Sequence, residues 1–431
     1  MRRWAWLAGI GVVVLCACLA PALGGRGAKK LASARQDETV HASLASSSGL
    51  AAKKVKTPRE WNQWRGPNRD GSSGETGWTY QWSGMGPREL WRIRLAPGYS
   101  TVSVRNGLVY TNGGTYKDES VSCLNARNGS QVWKFTFPTS QKFSWKWTRG
   151  AYATPTVDGK LVFAQSMSGY VAALDADTGK EVWGRDLVQE SGKVPPVYGY
   201  SSSPLVVDGL VIVAGGLGIE KTTGKIVWKS DKIPANYPSP VPILVGKERG
   251  VVFVSDRFVC VKASTGEVLW EIPRGCGNMY ADPVVRGDQV LFWNSLYKVV
   301  DGKPTRVYCT SYSPDDGSLY GSPVLWKGYV FKLSNTLTCR EFDTGQLKWT
   351  KEGIGGTVTL ADGKLVILTK DGQLVVAEAS TDAYKELARA RVFKEQGDLR
   401  DYGVWSAPVL SDGRLYLRNY DELACLDLRG K

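Results

Sequence analysis

The chain has 431 residues, 22% of them charged and 42% hydrophobic, a balance typical of a globular protein and not of a disordered one. Its single histidine, His41, excludes His-rich metal sites and histidine-based catalytic triads. Much of the net charge of +14 lies near the N-terminus, and the mild excess that remains does not indicate nucleic-acid binding. The 17 Trp and 49 Gly are unusually many and suggest a repeated unit.

The N-terminus has the pattern of an export signal. Met1-Arg2-Arg3 is positively charged and an apolar stretch follows over residues 4–20, so residues 1–22 are predicted to be a signal peptide. The motif Leu-Cys-Ala-Cys that ends at Cys18 resembles a bacterial lipoprotein box, and lipidation of Cys18 is left open. Residues 23–60 are basic, lack apolar periodicity and predict a flexible linker. We expect export to the periplasm or cell envelope of a bacterium, with membrane contact only through a lipid on that cysteine.

One unit of about 40–50 residues recurs after the linker. Each clear copy ends with a Trp four residues after a glycine, as in Thr178-Gly179-Lys180-Glu181-Val182-Trp183. The Trp residues at this position are Trp133, Trp183, Trp228, Trp270 and Trp349. Trp91, in a strand that resembles theirs, is predicted to dock in the same way. Each copy begins with two short strands around a Gly turn, as in residues 155–163, which predicts a β-hairpin. Four strands in such a unit predict one propeller blade.

The number of blades follows from the first strands. They are predicted to start near residues 102, 154, 204, 242, 283, 323, 358 and 408. The last blade lacks a fourth strand of its own, whereas Glu89–Ile93 matches one and precedes the first blade. Residues 88–431 therefore predict an all-β, eight-bladed β-propeller of four-stranded antiparallel blades, closed by the N-terminal strand joining the last blade. Residues 61–87 are a Trp-rich lead-in or cap, and Gly215–Ile219 leaves little room for a third strand in the third blade.

The repeat resembles the tryptophan-docking motif, Ala-x-Asp-x-x-Thr-Gly-Lys-x-x-Trp, of the PQQ-like (pyrroloquinoline-quinone-type) β-propeller repeat family. The resemblance covers about residues 88–431, and residues 61–71 resemble the segment that opens many bacterial secreted members. It implies that the repeated Trp residues dock one blade on the next. It also implies a fold like that of the eight-bladed lipoprotein of the outer-membrane barrel-assembly machinery, and like that of quinoprotein dehydrogenases, which use PQQ and Ca²⁺.

The sequence favours a non-enzymatic binding or scaffold protein. Neither the adjacent cysteine pair nor the Ca²⁺-ligand segments of the dehydrogenases is recognisable, and the acidic candidates Asp282, Asp315 and Asp316 fall in inter-blade loops. We therefore predict no catalytic residue, no metal site and no cofactor. A quinoprotein oxidoreductase, which would need PQQ and Ca²⁺, is the alternative, and a carbohydrate-binding module is the second alternative.

Four cysteines share one position of the repeat: Cys123, Cys260, Cys339 and Cys425. Equivalent positions on different blades are too far apart for a disulfide, so these four are predicted to be buried thiols. Whether Cys276 and Cys309 pair is left open.

An aromatic residue precedes the first strand of most blades. These residues are Tyr99, Tyr152, Tyr237, Tyr280, Tyr320 and Trp405, with Tyr200 slightly further from its strand. Blade symmetry predicts that they surround the mouth of the central channel, where Trp145, Trp147, Arg149 and Asn278 are further candidates, with Phe143, Lys146, Tyr198 and Asn236 nearby. Such a surface suits a sugar, a quinone-like ring or an extended peptide, and we expect a protein partner or an extended polymer. The rings could instead wedge between blades. We expect a monomer that binds no nucleic acid.

Overall fold

The computed structural model describes most of the chain from residue 60 onward. The described residues are 60–82, 84–115, 117–138, 150–273, 280–310, 321–394 and 404–430. The predicted signal peptide, Cys18 and nearly all of the predicted linker lie outside them. The described residues form eight sheets, each with four antiparallel strands and one with a fifth, parallel strand, and these are the predicted eight-bladed propeller. They contain one short helix, α1 (Leu187–Ser191), and no helix among them has the length and hydrophobicity needed to cross a membrane.

The strands of the first half follow the repeat. Two strands precede the first blade: β1 (Ser72–Ser73) and β2 (Glu89–Arg94). Blade 1 consists of β3 (Ser103–Arg105), β4 (Leu108–Gly113), β5 (Ser120–Asn125) and β6 (Gln131–Thr136). Blade 2 consists of β7 (Thr156–Asp158), β8 (Leu161–Gln165), β9 (Tyr170–Asp175) and β10 (Glu181–Asp186). Blade 3 consists of β11 (Leu205–Val207), β12 (Leu210–Val213), β13 (Leu217–Glu220) and β14 (Ile226–Lys229). Blade 4 consists of β15 (Val241–Val245), β16 (Glu248–Val254), β17 (Arg257–Lys262) and β18 (Val268–Pro273).

The second half continues in the same way. Blade 5 consists of β19 (Val284–Arg286), β20 (Gln289–Phe292), β21 (Ser295–Val300) and β22 (Lys303–Cys309). Blade 6 consists of β23 (Val324–Trp326), β24 (Tyr329–Leu333), β25 (Leu337–Glu341) and β26 (Leu347–Lys351). Blade 7 consists of β27 (Gly356–Ala361), β28 (Lys364–Thr369), β29 (Gln373–Glu378) and β30 (Glu386–Arg391). Blade 8 consists of β31 (Val409–Ser411), β32 (Arg414–Arg418) and β33 (Glu422–Asp427).

Two strands from before the repeat join this frame. β2 pairs antiparallel with β33, with Trp91 opposite Cys425, and supplies the fourth strand of blade 8. β1 adds in parallel to β27, the first strand of blade 7. The prediction of a clipped third blade is wrong, because β13 pairs with both β12 and β14 over Leu217–Glu220.

Tight turns join the first two strands of the blades. The turn residues Asn106 and Gly107 both have positive φ angles (51° and 74°), as do Asp208 and Gly209 (49° and 79°). Two consecutive residues with positive φ are typical of the type I′ hairpin turn, which matches the twist of the flanking strands. The Asp-Gly and Asn-Gly signals in the sequence therefore form the hairpins that they predict.

A β-bulge precedes the docking residue in the fourth strand of every blade. In blade 2 the register shifts between Glu181 and Trp183, so Val182 is the extra residue. Equivalent shifts occur in the other fourth strands. A bulge twists its strand locally and redirects the next side chain. Here it turns the docking residue toward the neighbouring blade.

In blades 1, 2, 3, 5 and 8 the docking residue packs against a glycine of the next blade and donates a hydrogen bond there. Trp133 packs against Gly179, where an added Cβ would lie 2.6 Å from the indole, and its Nε1 donates to Ala176 O at 2.9 Å. Tyr308 takes this position in blade 5: its hydroxyl donates to Phe342 O at 2.8 Å. The same donation is made by Trp91, Trp183, Trp228 and Trp349. Trp270 is buried, but its Nε1 has no partner among the described residues.

The repeated cysteines lie in the blade cores. Cys123, Cys260, Cys339 and Cys425 are buried free thiols, and burial raises the pKa of Cys123 to about 12. Cys309 is exposed, whereas Cys276 lies outside the described residues.

Candidate functional site

The first strand of each blade lines the central channel, and the two ends of the channel differ. We call the side that carries the loops leading into the first strands the loop face. The opposite side, which carries the turns after the first and third strands, is the hairpin face. These faces are distinct because successive strands run antiparallel.

The lead-in, residues 61–87, pairs with the inner strands of several blades. Trp61 N donates to Val104 O at 3.0 Å, and Val104 N donates to Trp61 O at 2.7 Å. In blade 2, Val157 N donates to Asn62 O at 2.7 Å, and Asn62 Nδ2 donates to Val157 O at 3.1 Å. The lead-in thus binds the channel wall as an extra strand would, and continues to β1 on blade 7.

Trp64 and Arg65 carry the lead-in to blades 5 and 6. Trp64 Nε1 donates to Asp282 Oδ2 at 2.5 Å, and Arg65 Nη2 donates to Pro323 O at 2.6 Å. Asp282 is buried, with Arg65 Nε 4.0 Å from Oδ2, and its Oδ1 accepts the Ser239 N–H at 2.7 Å. Both carboxylate oxygens are therefore committed to holding the lead-in and the loop before blade 4.

These contacts do not fit a quinone with a metal ion at this acid. Asp282 is the predicted acidic candidate inside the described residues, since Asp315 and Asp316 lie outside them, and its oxygens face Trp64, Ser239 and Arg65. The described part of the chain has no group of three His, Cys, Asp or Glu side chains that could hold a metal ion. We derive no oxidation step from this place.

Arg69 anchors the lead-in to blade 3. Its Nη1 donates to Pro204 O at 2.8 Å and to Gln63 Oε1 at 3.1 Å, and its Nη2 donates to Ser203 O at 2.9 Å. Burial lowers the pKa of Arg69 to about 10. A guanidinium can satisfy several carbonyls in one plane, which explains why arginine stands where the chain crosses the channel.

A chain of hydrogen bonds links neighbouring blades around the channel, and the sequence analysis missed it. In each link a backbone N–H donates to the side-chain oxygen of the equivalent residue in the next blade. The links are Thr101 to Thr154 (3.1 Å), Thr154 to Ser203 (2.9 Å), Ser203 to Ser239 (3.0 Å), Ser239 to Asp282 (2.7 Å) and Asp282 to Ser322 (3.1 Å). The signal was a hydroxyl or carboxyl residue directly before proline. In blade 4 that proline is Pro240, not Pro242.

Arg418 joins blade 8 to blade 1. This buried side chain of β32 donates from Nη1 to Ser100 O (3.1 Å), Asn112 O (2.6 Å) and the Thr111 hydroxyl, and from Nη2 to Ala96 O (3.0 Å). Burial lowers its pKa to about 9. At the junction of blades 8 and 1 the Arg418 guanidinium therefore makes the connection that backbone-to-side-chain hydrogen bonds make between blades 1 to 6.

Six tyrosines from successive blades lie together on the loop face, and we call them the tyrosine cluster. Its ring centroids are 5.5 Å apart for Tyr420 and Tyr99, 5.1 Å for Tyr99 and Tyr152, 5.7 Å for Tyr198 and Tyr237, and 5.2 Å for Tyr237 and Tyr280. Burial, followed by its tyrosine neighbours, raises the pKa of Tyr152 above its usual value. Tyr198 is 39% exposed. The cluster is an aromatic surface with polar hydroxyls.

The structure separates the other predicted site residues. Tyr200 does not line the mouth: it is fully buried, packs under Gly169, and donates its hydroxyl to Lys193 O at 3.3 Å. The side-chain nitrogen of Lys370 lies 4.8 Å from the centre of the Trp405 ring. The predicted candidates outside the described residues are Phe143, Trp145, Lys146, Trp147, Arg149, Asn278 and Tyr320.

Glu119 is a buried acid at the contact of blades 1 and 2. Its Oε2 accepts the Met167 N–H at 2.8 Å, while Oε1 has no hydrogen-bond partner among the described residues. Burial raises the pKa of Glu119 to about 8. The carboxyl is therefore mostly protonated at neutral pH.

A cavity of about 480 Å³ lies on the hairpin face beside blade 3. Lead-in residues 63 and 67–69 and residues 205–209 of blade 3 line it. Two ion pairs flank it: Lys221 with Asp158 at 2.6 Å and Arg249 with Asp208 at 3.2 Å.

The eight four-stranded blades and the bulged docking strands define a PQQ-like β-propeller. The family model described as "Outer membrane protein assembly factor BamB" matches residues 117–351, and the chain belongs to this family. The chain is similar to Outer membrane protein assembly factor BamB of Burkholderia pseudomallei, with 26% identity over 344 residues, 66% of this chain and 86% of that protein.

Quinoprotein dehydrogenases are also similar. Quinohemoprotein alcohol dehydrogenase ADH-IIG of Pseudomonas putida is 26% identical over 242 residues, and the match spans 51% of this chain but 30% of the dehydrogenase. A solved structure of that enzyme has a TM-score of 0.64 at 15% identity, covering 87% of this chain and 81% of the other. The enzyme of Comamonas testosteroni has a TM-score of 0.64 at 14% identity, over 88% and 82%. These structures share the propeller fold with this chain.

Proposed function

We propose that the protein is an exported, non-enzymatic scaffold of the cell envelope that takes part in the assembly of outer-membrane proteins. Its tyrosine cluster binds an extended segment of a partner protein. The observation that carries this proposal is the run of six neighbouring tyrosines across blades 8 and 1–5.

The chemistry of the cluster supports a polypeptide ligand. Tyrosine offers a large apolar ring and a hydroxyl, and it loses little conformational freedom on binding. The cluster extends along several blades, so it matches an elongated ligand better than a small compact one. Family membership supports the assembly role, since the matching family is described as an outer membrane protein assembly factor.

Site-specific photo-crosslinking in the bacterial envelope tests the proposal. A photoreactive residue replaces Tyr237 in the cluster, and the control replaces the exposed Asn128 in the turn between β5 and β6 on the hairpin face. We expect adducts with a component of the outer-membrane protein assembly machinery from position 237 and not from position 128. Adducts of equal yield from both positions, or none with that machinery, would refute the proposal.

A quinoprotein oxidoreductase is the second candidate, because the dehydrogenase structures match most of this chain at the level of fold. Titration with PQQ in the presence of Ca²⁺, followed by a dye-linked alcohol assay, separates the two. The scaffold proposal expects neither saturable quinone binding nor dye reduction. Tight binding with turnover would establish the enzyme instead.

The carbohydrate-binding alternative is tested at Trp405. That reading expects Trp405→Ala to weaken glycan binding while leaving the melting temperature nearly unchanged. The scaffold proposal expects no glycan binding by either protein. The contact of Trp405 with Lys370 favours a change in stability.

A further inference from the structure

The next-to-last residue of each first strand presents its backbone to the channel. In a two-residue hairpin the pair next to the turn is hydrogen-bonded and the following pair is not. The N–H and C=O of that following residue therefore point away from the second strand. These residues are Val104, Val157, Val206, Leu244, Val285, Leu325, Leu360 and Leu410.

The lead-in occupies this position in half of the ring. Val104 exchanges two backbone hydrogen bonds with it, and Val157 donates its N–H to Asn62 O and accepts from the Asn62 side-chain amide. In blade 7, Leu360 N donates to Gly71 O at 2.9 Å. In blade 8, Leu410 O accepts the Ser73 hydroxyl at 2.9 Å. Blades 7, 8, 1 and 2 are thus covered by a strand-like segment of the same chain.

In blades 3, 5 and 6 the lead-in contacts residues that precede the first strands, through the side chains of Arg69, Trp64 and Arg65. Its backbone does not pair there with the strand edges. For Val206, Leu244, Val285 and Leu325, no hydrogen bond joins the channel-facing backbone groups to any of the described residues. Leu244 is 58% exposed. A row of unpaired strand edges is a template for an added polypeptide strand, and these four lie in consecutive blades, 3 to 6.

The cavity beside blade 3 lies between the lead-in and the first hairpin of that blade. Residues 205–209 line the cavity together with Arg69, whose buried Nε has no partner among the described residues. Three cations, on Arg69, Lys221 and Arg249, face two carboxylates. The excess positive charge favours an acidic side chain beside the strand edge.

We propose that blades 3 to 6 bind an extended polypeptide segment of another protein on the hairpin face by strand addition. The segment pairs with the edges at Val206, Leu244, Val285 and Leu325, and it places an acidic side chain in the cavity beside Arg69. The lead-in shows that this channel wall accepts an added strand. This site is separate from the tyrosine cluster, on the opposite face.

Selection from a random linear peptide library, displayed on phage, tests the site with the full chain. Selected peptides are synthesised and their Kd is measured. We expect peptides that alternate apolar residues and carry an acidic one. Val206→Pro removes one channel-facing N–H and no hydrogen bond within the sheet, and Pro242 on β15 shows that an inner strand accommodates proline. It should weaken binding about tenfold or more.

Two further variants keep the test decisive. Leu244→Asp changes an exposed side chain, so folding is preserved, and it should also weaken binding about tenfold or more through lost apolar contact and repulsion of the acid. Tyr237→Ala should leave the Kd unchanged. Peptides that lose affinity with Tyr237→Ala alone bind the tyrosine cluster, which overturns this inference and keeps the proposed function. Failure to select any peptide, or affinity unchanged in all three variants, also overturns it.

Discussion

Replacing the buried Arg418 with methionine should destabilise the protein, at the junction of blades 8 and 1, more than replacing an arginine on the surface. Methionine keeps the apolar stem but removes the donors to Ser100 O and Asn112 O, both in fully buried residues. A buried carbonyl left without a donor costs about 1–3 kcal/mol. The variant no longer buries a charge, and this offsets part of the loss. We therefore expect the free energy of unfolding to fall by about 3 kcal/mol.

The expected effect can be measured by calorimetry. An unfolding entropy of about 2 cal/mol/K per residue gives about 0.8 kcal/mol/K for a propeller of about 370 residues, so Tm should fall by about 4 °C. Arg389→Met is the control, because Arg389 pairs with Glu386 at the surface and such pairs contribute under about 1 kcal/mol. Hydrogen exchange should quicken first around residues 96–112. Equal Tm values for the two variants would refute this account of the junction.

Three further changes probe the docking units and the buried acid. Gly179→Ala should cost about 2 kcal/mol more than Gly159→Ala in chemical unfolding, because both have positive φ (71° and 62°) but only the Cβ at 179 would meet an indole, at 2.6 Å; equal losses would contradict the packing argument. Trp228→Phe should lower the free energy of unfolding by about 1 kcal/mol more than Trp270→Phe, because Trp228 donates a hydrogen bond at 2.9 Å and Trp270 donates none among the described residues. A lower Tm for Trp270→Phe than for Trp228→Phe would contradict this prediction. The pKa of Glu119 is raised to about 8, so the stability that its protonated form contributes is complete below the unfolded pKa and is lost as the pH rises through 8. Glu119→Gln should therefore match the wild type in Tm near pH 4 and exceed it near pH 9, whereas parallel pH curves would show that the carboxyl is not protonated in the fold.

The parts of the fold that recur were predictable, because each copy supports the others. The spacing of Gly179 and Trp183, and the Gly turns of the first hairpins, recur in register and locate the blades. Tyr308 in the docking position was not distinguishable from a degenerate strand by its residue type. Tyr308 is recognised as a docking residue from its contacts with Gly345 and Phe342 of the next blade. The sequence of blade 5 alone does not show these contacts.

The site was predictable only where it follows the repeat. Tyr99, Tyr152, Tyr237 and Tyr280 precede their strands at similar spacing and come together, whereas Tyr200 stands one residue out of step and turns into the core. The contacts of the lead-in have no such signal, because they occur once and join residues far apart in sequence.

The lead-in makes chemically different surfaces out of similar blades. Without it, the inner edges of all eight blades would be nearly equivalent, and a ligand could bind in several rotational positions. With Trp61 and Asn62 on blades 1 and 2 and β1 on blade 7, the lead-in pairs with the strand edges in one half of the ring and leaves those edges unpaired in the other. Specific binding requires that competing positions be blocked as well as the preferred one formed. In this protein the same segment that fills one side of the channel defines the register of any strand added on the other.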